Sequence, residues 1–160
     1  MEAKDLVRLY ERSHGVLQAN LRDITDEDSH REPPGGANSI NRVLGHIVMS
    51  RGGALQAVGA EPVWDSATAG IYSGEEGVVF ERARALPLER LLADLETTQA
   101  RLLPPLAALT AEKLAAPIRT TDVGDFLTFL AYHEGYHAGQ LGILRRLVGK
   151  AGVIKQPKAL

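Results

Sequence analysis

The chain has 160 residues, 44% hydrophobic and 24% charged, which suits one domain with a single core and excludes a disordered or fibrous protein. A formal net charge of -2 and no basic run leave no footprint for nucleic acid, and the absence of cysteine removes disulfides, thiolate ligands and thiol nucleophiles. No apolar stretch approaches the roughly 20 residues that cross a bilayer, and charged Glu2, Lys4, Asp5 and Arg8 do not read as a signal peptide, so a cytoplasmic protein without membrane partners is expected.

Leu6, Leu9, Tyr10, Leu17 and Leu21 recur at helical spacing, which predicts a first helix over residues 3–22. The polar run from Asp26 to Gly36 ends in Pro33, Pro34, Gly35 and Gly36 and reads as a loop. Asn38 or Ser39 is placed to cap a second helix with its stripe on Ile40, Leu44, Ile47, Leu55 and Val58, stopping at Gly59. The segment from Ala60 to Leu86 is irregular, punctuated by Pro62, Gly70, Gly74 and Gly77 around Trp64, Tyr72 and Phe80, and a connection this long suggests a lid or a crossover.

Pro87 suits the first turn of a third helix, with Leu88, Leu91, Leu92, Leu95, Leu102 and Leu106 inward; Pro104 and Pro105 should end its straight part near Leu103. Thr121 or Asp122 then opens a fourth helix with Phe126, Phe129, Leu130, His133, His137, Leu141, Leu144 and Val148 on one side, ending at Gly149. No segment alternates with period two, so the expected fold is an all-α four-helix bundle over residues 1–150 with a loose tail, 151–160. The long second connection permits an up-down-down-up order, without excluding an all-antiparallel one.

His133 and His137 stand four apart on one helix, so their imidazoles project from neighbouring turns of one face. An imidazole on an inward stripe carries a desolvation penalty that a hydrogen bond to a buried carbonyl or carboxylate, or a metal, must offset. His46, at the core edge of the second helix, supplies a third ring, and three neutral imidazoles with an open fourth position match sites for zinc and related ions. His14 and His30 compete for the third place but read as surface residues. If the second and fourth helices are antiparallel and flush, His46 lies roughly 6 to 12 Å out of level with the pair, so the fourth helix should overhang by a turn or two.

Residues 133–137 also spell H-E-x-x-H, the zinc metalloprotease signature with glutamate as general base. The metzincin extension fails, because Gln140 and Ile143 stand where its glycine and third histidine belong, and no acidic residue follows Glu134. On a helix Glu134 projects about 100° from His133, which leaves a proton acceptor and a solvated or supporting charge as its two readings.

The runs R-E-P-P-G-G-A-N-S-I (Arg31 to Ile40), Leu44-Gly45-His46 and H-E-G-Y-H-A-G-Q-L (His133 to Leu141) resemble the DinB/YfiT-like superfamily of four-helix metalloproteins. The resemblance implies an up-down-down-up bundle, a mononuclear site of zinc or nickel on His46, His133 and His137, and a homodimer as a common assembly. It also implies thiol-dependent transferases and isomerases that use low-molecular-weight thiols, and places Gln140 as a hydrogen-bonding residue near the pocket.

A divalent ion on three imidazoles acidifies a bound water or thiol. The expected function is therefore metal-dependent thiol transfer or hydrolysis of a small-molecule substrate. Trp64 and Tyr72 are candidates to roof the pocket, against a plain core role for tryptophan. The competing class is a bundle that binds a metal or small molecule without turnover.

Overall fold

Four long helices carry the fold in the computed structural model, which describes residues 2–74 and 80–153. They are α1 (Ala3–Leu21), α3 (Ile40–Ala57), α5 (Leu88–Ala107) and α7 (Val123–Leu147). Between them lie the short helices α2 (Asp26–His30), α4 (Ser66–Ile71) and α6 (Ala111–Leu114), a 3-10 turn at Arg82–Arg84, and a hairpin of β1 (Pro117–Ile118) and β2 (Thr121–Asp122). No helix among the described residues is long and apolar enough to cross a membrane.

The caps explain where the elements start. Ser39 Oγ accepts from the Arg42 amide and the Asp122 carboxylate from the Asp125 amide, which fixes the first turns of α3 and α7. The loop expected from Asp26 to Gly36 instead opens with a helical turn, because Thr25 and Asp28 form a reciprocal capping box. The third long helix does not stop near Leu103; it runs through Pro104 and Pro105 to Ala107. The two prolines strip partners from the carbonyls of Ala100 and Arg101, but both residues are exposed and water can serve them.

Contacts between helices set the directions. Tyr10 donates to the Leu127 carbonyl and Asn20 to the Ala138 carbonyl, so α1 and α7 run parallel. His46 meets His133 and Gly53 faces Phe126 and Leu130, so α3 and α7 are antiparallel. Asn41 bonds the Leu86 carbonyl and Arg51 the Leu95 carbonyl, which makes α3 and α5 parallel, while His14 beside Glu96 and Gln99 beside Tyr10 make α1 and α5 antiparallel. The order is up-down-down-up, with the segment between α3 and α5 crossing the bundle's length.

The core has two apolar halves. One gathers Leu17, Leu44, Ile47, Tyr72, Leu91 and Leu141; the other gathers Leu6, Leu55, Leu102, Leu106 and Leu127. Between them every long helix contributes a polar side chain to one layer: His14, Arg51, Thr98 and Glu134, all buried.

The inward face of α7 is turned from the expected stripe. Val123, Leu127, Ala131, Glu134, Ala138, Leu141 and Leu144 are buried, whereas Phe129 is 59% exposed and His133 and His137 sit half-buried at the core's edge. At the far end Arg145 ties the chain down through the carbonyls of Asn20, Arg22 and Ala151. Of the expected loose tail, residues 154–160 lie outside the described residues.

Candidate metal centre

His46 from α3 and His133 and His137 from α7 bring one nitrogen each within 4.8 Å of one another. The atoms are Nε2: that of His133 lies 3.2 Å from His46 and 3.0 Å from His137. The level mismatch raised by a flush bundle is absorbed as expected, since α7 has 25 residues against 18 in α3, a difference of about 10 Å of rise.

The outer nitrogens fix the tautomers. His46 Nδ1 lies 3.0 Å from the Tyr72 carbonyl oxygen and His137 Nδ1 lies 2.7 Å from Gln140 Oε1, so each Nδ1 carries the proton and each Nε2 presents a lone pair. Gln140 is itself oriented by donating from Nε2 to the Tyr136 hydroxyl at 3.1 Å. Two inward-facing acceptors repel, and only His133 remains to donate, to both at once. A cation at the centre would take all three Nε2 lone pairs, and tetrahedral nitrogens at zinc distances would stand about 3.3 Å apart, close to the observed spacing; the His133 proton would then sit on Nδ1, which is buried without a partner among the described residues. The residues fit a metal ion.

Electrostatics agree with that use. Burial, then the neighbouring His137 and His46 rings, push His133 down to about 4, and burial chiefly lowers His137, so both rings are neutral near pH 7. Among the described residues no aspartate, glutamate or fourth histidine joins the cluster, and the three rings border a cavity of about 570 Å³. Its walls include Asn38, Arg42, Val43, Met49 and Ser73.

The support behind His46 was not anticipated. A Cβ at Gly45 would overlap the Tyr72 ring, so the glycine lets that ring lie flat on α3. The Tyr72 hydroxyl donates to Asn41 Oδ1 and accepts from the Leu86 amide, which pins the crossover and aims its carbonyl at His46. Gly74 continues along the ring, where a Cβ would come within 3.1 Å of His46 Cε1.

Other candidates take different places. Trp64 does not line this cavity; it stacks on Tyr72 and donates from Nε1 to Asp94 at 2.6 Å, a core role. His14, expected on the surface, is buried between Glu96 and Arg51, and His30 is half-buried against Asn41.

Glu134 is neither solvated nor aimed at the cluster. It is 4% exposed and grips Arg51 in a fork, Oε2 to Nε at 2.7 Å and Oε1 to Nη2 at 2.8 Å, with Ser13 Oγ on Oε1. Both oxygens are committed, so the general-base role that H-E-x-x-H would give it has no geometry here. The signal was present in the pattern: Arg51 and Glu134 each interrupt an apolar stripe, between Ile47 and Leu55 and between Ala131 and Ala138.

A family model described as the DinB superfamily matches residues 9–141, which include all three histidines and Gln140. No curated protein matches the chain.

Proposed function

The chain belongs to the DinB superfamily, and from that premise we propose that it is a cytoplasmic metal-dependent enzyme that holds one zinc or nickel ion on Nε2 of His46, His133 and His137. A bound ion would supply Lewis acidity, which lowers the pKa of a thiol or water. The chain's own part is to hold three lone pairs on one point, through Tyr72 and Gln140, and to shelter the reacting groups between Val43, Met49 and Tyr72. Thiol transfer to a small electrophile is preferred over hydrolysis because the family includes thiol-dependent members. The observation that carries the reading is the convergence of the Nε2 atoms, at 3.0 and 3.2 Å, on the wall of an open cavity.

Elemental analysis of protein purified without a histidine tag should find one metal per chain, lost in the His133→Ala variant. A thiol offered with a generic electrophile should then react faster than in buffer, and a chelator should abolish the gain. Metal without turnover of either kind would favour a binding protein, and no metal at all would overturn the proposal. Tyr132, Tyr136, Ile143 and Leu147 expose an apolar seam on the outer side of α7 that a homodimer would cover, a state that sedimentation equilibrium reads directly.

A further inference from the structure

Arg42 stands one helical turn before His46 on α3 and lines the same cavity. Its guanidinium lies over the Phe80 ring, 5.4 Å from the centroid, which supports it from one side. Among the described residues no carboxylate comes within ion-pairing distance of it and no side chain accepts from it. Arg31, Arg51, Arg84 and Arg90 pair with acids and Arg145 bonds carbonyls, whereas Arg119 lies over Phe126 much as Arg42 lies over Phe80; what sets Arg42 apart is its place on the wall of the histidine cavity. It is half-buried on the cavity wall, so its charge carries no large desolvation penalty.

The described lining of that cavity holds Asn38, Ser73 and the histidines but no acidic residue. A divalent ion on neutral imidazoles would keep both charges, and Arg42 adds a third. Over that described lining the charge stays positive after one singly charged nucleophile binds, which suits a ligand that brings a second anionic group.

We propose that Arg42 is the specificity-determining anchor of this cavity, and that the substrate or cosubstrate is a thiol or electrophile carrying a carboxylate. The inference rests on the reading of the three histidines as an open metal site. The carboxylate takes the guanidinium's fork while the reactive end of the same molecule reaches the histidine cluster. Neutral molecules of equal size lack the second contact, so they bind more weakly.

The test uses the full chain loaded with cobalt(II), titrated with 3-mercaptopropionate and with its neutral isostere 3-mercaptopropionamide, and reads the near-ultraviolet sulfur-to-cobalt absorption. The acid should bind about tenfold more tightly than the amide, as expected for one charge-assisted contact. Arg42→Met should bring the ratio to about one without weakening the amide, and Arg42→Lys should keep part of the preference. A ratio near one in the unaltered protein, or a preference that survives Arg42→Met, overturns the anchor while the open site stands. No absorption with either thiol overturns the open site and the anchor together.

Discussion

Replacing Glu134 with alanine tests whether the polar layer, rather than the metal site, claims this residue. The carboxylate lies 2.7 and 2.8 Å from Arg51, which is 2% exposed, so the substitution leaves a guanidinium buried with only the Leu95 carbonyl, Thr98 and His14 around it. Breaking one partner out of a buried pair costs about 3–5 kcal/mol. A domain of this size should therefore melt roughly 10 °C or more lower. The double variant Arg51→Met, Glu134→Leu removes both charges at similar volume and should recover most of that loss. Urea unfolding followed by circular dichroism, in chelator so that metal does not contribute, measures both. The reasoning fails if Glu134→Ala costs less than about 1 kcal/mol, or if the double variant is as unstable as the sum of the singles. Under conditions where Glu134→Ala remains folded it should still bind metal, which a catalytic base and a layer residue both allow. The large stability loss is what a solvated base would not show.

Three further outcomes follow from the same contacts. Gly45→Ala displaces Tyr72 and with it the acceptor of His46 Nδ1, and Gln140→Leu removes the acceptor of His137 Nδ1; each should weaken metal binding about 10–100-fold in a chelator competition, Gln140→Leu without a large change in melting. The metal-free protein should lose stability as pH falls from 6.5 toward 4, because His133, held down at about 4 and followed by His137 and His14, stays neutral folded but takes up protons unfolded; a melting temperature flat across that window would contradict the burial of these rings. Trp64→Phe deprives Asp94 of its 2.6 Å indole donor and leaves Arg90 as its partner, so it should cost about 1–2 kcal/mol of stability and leave metal affinity unchanged.

Helical spacing, capping residues and breakers were enough to locate the four long helices, because an amphipathic stripe and a cap are local properties of ten or twenty residues. The histidine trio was legible for a related reason: spacing of four puts two rings on one face, and a third at a core edge is rarely idle. Which way α7 faces was not legible. Its apolar residues surround the helix almost fully, with Phe129 and Ile143 as hydrophobic as Leu127 and Leu141, so periodicity alone selected a stripe rotated off the true one.

Only the packing of α1 and α3 against α7 decided that Glu134 turns in to Arg51 and that His133 and His137 turn to the rim. A lone charged residue on a helix is cheapest in water, and it becomes a core residue only when another helix presents the opposite charge at the same level. The crossover's role was equally nonlocal. Tyr72 reaches His46 through its carbonyl because Gly45, distant from it in sequence, leaves the ring a flat seat on α3. A residue's own segment determined whether it was helical; its neighbours across the bundle determined what its side chain does.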